Sequence, residues 1–126
     1  MTNIKNILPL GESGLKIYHN PRCSKSRKGL AILENSGKEF EVVKYLENIP
    51  TKKELTEIIN LLGISPIQLV RKTEKIWKEN YKGKELSDAE IITAMIANPK
   101  LIERPIIINN NKAVIGRPPE NILEII

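Results

Sequence analysis

The feature that most limits what this chain can fold into is the order of its elements. Lys16 to Tyr18 reads as a first strand. A helix follows from Cys23 or Ser24, turns Leu30, Leu33 and the neighbouring Ala31 and Ile32 inward, and stops at Ser36-Gly37. Phe40 to Leu46, rich in β-branched and aromatic residues, is a second strand. Near the other end, Pro105 to Ile108 and Lys112 to Ile115 flank the polar turn Asn109-Asn110-Asn111 and form a hairpin. Gly116 breaks that pattern, and Pro118-Pro119 opens a final helix carrying Ile122, Leu123 and Ile126.

The stretch between these pairs is helical. Pro50-Thr51-Lys52-Lys53-Glu54 is a capping-box entry, followed by Leu55, Ile58, Ile59 and Leu62 on one face and a stop at Gly63. Ser65 and Pro66 open a short third helix, with Arg71 near its end. Trp77 to Gly83 is the least regular part. Ser87-Asp88-Ala89-Glu90 is a second capping box, Ile91, Ile92, Met95 and Ile96 follow at helical spacing, and Asn98-Pro99 ends the run.

The order is βαβ, helices, then ββα. In an α/β chain of 126 residues it predicts a thioredoxin-like fold: the βαβ and ββα units around a small mixed four-stranded sheet, with a helical insertion. Residues 15–126 form that domain. Residues 1–14 show no periodicity and end in Gly11-Glu12-Ser13-Gly14, which reads as the joint of a flexible N-terminal extension. In this plan a reactive thiol sits between the first strand and first helix. The third strand starts after a cis proline near that thiol, where Arg104-Pro105-Ile106 stands.

The only cysteine, Cys23, occupies that place. A thiol at a helix N-terminus meets unpaired N–H groups and the positive end of the helix dipole, which favour the reactive thiolate. His19, Arg22, Lys25 and Arg27 add positive charge in the same segment. The same geometry cradles oxyanions. The loop therefore offers a nucleophile and an anion site together, and points to chemistry on an oxyanion at sulfur.

Composition narrows the alternatives. One cysteine excludes an internal disulfide and fits a reducing compartment. With one histidine it also excludes a cysteine-based zinc site. No apolar run approaches membrane-spanning length and no signal peptide is visible, so the reading is cytoplasmic, with no membrane partner. The net charge of +5 comes from lysines interleaved with acids, without aromatics to stack bases, so no nucleic-acid partner is expected. Only Arg22, Arg27, Arg71, Arg104 and Arg117 are arginines. A planar fork grips an oxyanion in a way a lysine cannot, which makes these few arginines candidate anion ligands.

Four blocks carry a resemblance: His19-Asn20-Pro21-x-Cys23-x-x-Ser26-Arg27, Leu69-Val70-Arg71-Lys72, Arg104-Pro105-Ile106, and Gly116-Arg117-Pro118-Pro119-Glu120 with the ending Leu123-Glu124-Ile125-Ile126. From about Leu15 to the C-terminus the chain resembles the glutaredoxin-coupled arsenate reductases. The resemblance implies Cys23 as nucleophile and His19 as the histidine that lowers its pKa. It implies Arg71, Arg104 and Arg117 as arsenate ligands that also hold the thiolate, with Ser26 and Arg27 near the oxyanion. It further implies that Cys23 attacks arsenic to form an adduct, that glutathione as co-substrate reduces it, and that glutaredoxin clears the mixed disulfide. No bound cofactor or metal is implied, and the expected state is a monomer.

Ser26 stands where a Cys-x-x-Cys motif would place a second sulfur, so the chain needs an outside thiol. Two other readings share the fold: a redox-sensing transcriptional regulator, whose usual dithiol switch Ser26 breaks, and a monothiol oxidoreductase acting on glutathione adducts. A Cys-x5-Arg phosphatase loop would need arginine where Gly29 stands.

Overall fold

The computed structural model describes residues 14–126, which form two compact units. The expectation of a flexible extension over residues 1–14 falls almost wholly outside the described residues. The first unit combines the segment up to Asn48 with Arg104–Ile126, and the second is Ile49–Glu103.

The first unit holds a four-stranded sheet of β1 (Leu15–Tyr18), β2 (Glu41–Val43), β3 (Ile106–Asn109) and β4 (Lys112–Ile115), in the order β2-β1-β3-β4. β1 pairs parallel with β2 and antiparallel with β3, and β3 pairs antiparallel with β4. This is the mixed, thioredoxin-like sheet expected. The register places Val42, Ile17, Ile107 and Val114 side by side across one face. Side chains on one face recur every second residue, so Leu15 joins that row. Leu15, Ile17, Leu33, Phe40, Ile107 and Ile122 form the core there, between the sheet, α1 (Ser24–Asn35) and the C-terminal 3-10 helix Pro119–Glu124.

Several details differ from the sequence reading. β2 ends at Val43 because Lys44 starts a turn, its carbonyl accepting from the N–H groups of Glu47 and Asn48 at 3.0 and 2.9 Å. β3 starts at Ile106, one residue later than expected. The last helix is 3-10, and Leu123 on it is 61% exposed while Ile122 is buried. Three residues per turn place Ile122 and Ile125 on one side and Leu123 off it. In α1 Ser26, Gly29 and Leu33 are buried and Leu30 and Ile32 pack against the core as expected, but Ala31 points to solvent.

The second unit contains α2 (Lys52–Leu62), α3 (Lys75–Asn80), α4 (Asp88–Ala97) and the 3-10 turns Pro66–Leu69 and Pro99–Leu101. Both capping boxes form: the Thr51 and Ser87 side chains accept from the N–H groups of Glu54 and Glu90, whose carboxylates return the bond. Such caps contribute about 1 kcal/mol each and fix where a helix begins. Gly63 closes α2 in the left-handed conformation. The irregular stretch near Trp77 contains a short helix, α3, stabilised by stacking of Trp77 on Tyr81 at 5.4 Å between ring centres. Among the described residues no helix is long and apolar enough to cross a membrane.

Candidate active site

The thiol loop is built by the end of β1 and the start of α1. The His19 N–H donates to the Val43 carbonyl at 2.8 Å and so carries the sheet one residue past β1. Asn20 then shapes the turn. Its side-chain oxygen accepts from the Arg22 N–H at 3.0 Å, and its carbonyl accepts from the Cys23 N–H at 3.0 Å. Cys23 is the N-cap of α1 in an extended conformation, and its carbonyl accepts the first helical bond, from Arg27, at 3.0 Å.

Beneath the loop lies a buried polar network. Ser26 is fully buried, and its Oγ accepts from the Asn20 N–H at 2.9 Å and lies 2.7 Å from His19 Nδ1. A hydroxyl both gives and takes a hydrogen bond, so either neutral tautomer of His19 completes the link. Ser26 therefore offers the site its backbone N–H, while its hydroxyl stays inside. The Arg27 fork lies outside, one nitrogen donating to the Pro21 carbonyl at 2.9 Å.

His19 does not add the positive charge read from sequence. Burial, together with the positive charges of Lys44 and Arg27, holds its pKa below the ordinary value, against the opposing pull of Glu34 and Ser26. The imidazole is neutral at pH 7, and its connection to the thiol runs through Ser26.

For Cys23 the balance goes the other way. Partial burial pushes the thiol up, but the Ser26 N–H, the Arg104 guanidinium by polar contact and by charge, and the Lys25 N–H outweigh it, and the thiol sits below its ordinary value. The side chain closes no cap hydrogen bond of strict geometry, so the pull of the helix end is electrostatic. The consequence is a predicted pH profile. Between the lowered and ordinary values the folded protein carries thiolate where a denatured chain carries thiol. Reactivity toward iodoacetamide should fall as pH drops through a midpoint below about 8.5. A midpoint at or above that value would mean that burial dominates. His19→Ala is expected to raise the midpoint, because it loosens Ser26.

The first unit brings together Cys23, His19, Ser26, Arg27 and, from the far end of the sequence, Arg104. Arg104 precedes β3 by two residues, and the Arg104–Pro105 bond is cis, as expected. Arg117 follows β4 in the same unit, and its bond to Pro118 is also cis, which the sequence reading did not anticipate. Arg71 belongs to the second unit. Its guanidinium pairs with Glu74 at 2.6 Å and with Glu103 at 3.5 Å, and its N–H donates to the Leu101 carbonyl at 2.7 Å beside the Val70–Ile102 bridge. Asn20 organises the loop through three hydrogen bonds, a role beyond its place in the sequence motif. The Asn-Pro pair was the signal for it, since Asn side chains close turns onto the backbone two residues on.

The chain is similar to known proteins over most of its length. The ArsC family model matches residues 18–125. The chain is 46% identical to an arsenate reductase of Haemophilus influenzae over 112 residues, 87% of this chain and 97% of that one. It is 50% identical to the uncharacterized protein YfgD of Escherichia coli over 114 residues, 89% and 96% of the two chains. The solved arsenate reductase from Vibrio cholerae superposes with a TM-score of 0.85 at 47% identity, covering 89% of this chain and 97% of that one. A match across nearly the whole described chain, with the thiol loop and both Arg-Pro segments inside it, makes this protein a member of the ArsC family.

Proposed function

We propose that this protein reduces arsenate to arsenite through a covalent adduct at Cys23, with glutathione and glutaredoxin as external reductants. The observation that carries the reading is a thiol at the N-cap of α1 whose pKa is lowered by helix N–H groups and Arg104, in a chain whose relatives include proteins named arsenate reductase. The thiolate is the form that attacks, and the groups that stabilise it are the groups an oxyanion needs.

The balance of the reaction follows from the residues. The Cys23 sulfur forms a bond to As(V), and one arsenate oxygen leaves as water after taking up protons. No electrons move in that step. Arg104 and the N–H groups of α1 face the charge on the remaining oxygens. Reduction to As(III) takes two electrons, supplied as two external thiols become a disulfide. This chain has a single cysteine, so the disulfide forms outside it. Glutathione supplies one thiol, replacing a second arsenate oxygen that leaves as water, and glutaredoxin supplies the other. The glutaredoxin thiolate attacks the glutathione sulfur, the pair of electrons in that sulfur–arsenic bond stays on arsenic, and a glutathione–glutaredoxin mixed disulfide departs. Hydrolysis of the sulfur–arsenic(III) bond returns Cys23. Cys23 and Arg104 lie in one unit of one chain, so the adduct step calls for no second copy, and the protein acts as a monomer, in a reducing compartment such as the cytoplasm.

The test is arsenate-dependent NADPH oxidation with glutathione, glutaredoxin and glutathione reductase. Turnover should require arsenate and collapse when glutaredoxin is omitted. Turnover on glutathione mixed disulfides with none on arsenate would replace this reading with that of a monothiol oxidoreductase.

A further inference from the structure

Below the thiol loop, two segments close on one ring. Pro105 is fully buried. A Cβ on Gly29 would lie 2.9 Å from Pro105 Cγ and 3.1 Å from Ile122 Cδ1. A Cβ on Gly116 would lie 2.9 Å from the same Pro105 Cγ, and 3.2 Å from the Cδ1 atoms of Ile107 and Ile122. Carbon atoms rest about 3.5–4.0 Å apart, so any side chain at either position must displace something. The isoleucine methyls end flexible side chains and can turn aside. Pro105 Cγ has only its ring pucker to give, because the ring closes on the backbone between Arg104 and Ile106. The Gly116 N–H also donates to the Pro105 carbonyl at 2.8 Å. Neither glycine has a left-handed φ, so space rather than backbone conformation requires glycine here.

These contacts bear on the thiol. Gly29 lies in α1, whose N-cap is Cys23. Pro105 is bonded to Arg104, and pairing of Tyr18 with Ile106 runs the loop after β1 alongside the Arg104-Pro105 segment. We infer that Gly29 and Gly116 are positioning residues: lacking side chains, they let α1 and the end of β4 close on the Pro105 ring from two sides, and this sets Arg104 against the Cys23 sulfur. The inference concerns activation of the thiol and holds whichever oxyanion the site takes. It can fail while arsenate reduction stands, and the reverse.

Gly29→Ala and Gly116→Ala in the full chain test it, each read by iodoacetamide alkylation rate against pH and by melting temperature. The midpoint of the rate profile should move up, and the rate at a fixed pH below it should fall about threefold or more, as thiolate is lost. In an Arg104→Ala background the same glycine changes should add nothing. Leu33→Ala, a cavity in the core face of the same helix, should lower the melting temperature and leave the midpoint in place. Where a glycine variant does not fold, Ile122→Val removes the Cδ1 that both added methyls meet and leaves the Pro105 contact to be read. The inference is overturned by an unmoved midpoint in folded glycine variants, by an equal shift in Leu33→Ala, or by an undiminished shift without Arg104. Chains that stay unfolded even with Ile122→Val also overturn it, since the glycines would then serve the fold as a whole.

Discussion

Cys23→Ser is expected to abolish arsenate-dependent turnover, by about a thousandfold or more, while leaving the melting temperature unchanged or slightly higher. The two halves of this expectation have separate causes. A serine hydroxyl does not ionise at neutral pH and cannot take part in thiol–disulfide exchange, so both the adduct and its reduction are lost. Stability is kept because Cys23 occupies the N-cap of α1 without closing a cap hydrogen bond. Serine is a favoured N-cap residue, and its oxygen can accept from the N–H groups that now face sulfur. Loss of activity with an intact melting transition identifies the sulfur itself as the working atom. Substantial residual turnover in the coupled assay would remove Cys23 as nucleophile.

The arginines come next in expected effect. Lysine at Arg71, Arg104 or Arg117 keeps the charge but removes the planar, paired donors. Hydrogen bonds to a charged group contribute about 1.5–3 kcal/mol, so each alanine variant should lose roughly ten- to a hundredfold in kcat/KM for arsenate. If the forks grip arsenate, each lysine variant should recover only a small part of that. The three positions should also differ in a second readout. Arg104 acts directly on the thiol, so Arg104→Ala should raise the midpoint of alkylation. Arg71 is paired with Glu74 and Glu103, so Arg71→Ala should lower the melting temperature by removing both ion pairs. Near-wild-type kinetics in all three lysine variants would argue for a generic basic surface and against the arsenate grip.

What could be seen in the sequence is what short-range chemistry determines. The Thr51–Glu54 and Ser87–Glu90 boxes were legible because cap and partner lie three residues apart. The β3–β4 hairpin was legible from its polar turn, and the thiol loop from a strand, an Asn-Pro pair and a helix start. What was misread depends on packing. Tyr45 continued the apolar look of β2, yet it is buried from within a turn that the Lys44 carbonyl closes by accepting from Glu47 and Asn48. Ala31 looked like a core residue, but α1 packs through Gly29, Leu33 and the partly buried Leu30 and Ile32, and leaves Ala31 in solvent. The final 3-10 helix could not be told from an α-helix, because Pro118-Pro119 starts either. His19 was counted as a charge because basicity is visible in a sequence and burial is not. The close approach to Pro105 had no local sign at all, since it joins residues 29, 105 and 116.

The thiol site also has a history during synthesis. Cys23 leaves the ribosome about eighty residues ahead of Arg104. At about 5–20 residues per second that lead lasts on the order of 4–16 seconds. Throughout it, the Arg104 guanidinium is absent from beside the sulfur, and β1 has no antiparallel neighbour. The nascent cysteine is thus closer to an ordinary, sluggish thiol, poorly suited to stray oxidation or alkylation. Its full reactivity arrives late, when β3 pairs with β1 and brings Arg104 into place. The protein's most vulnerable atom is armed last.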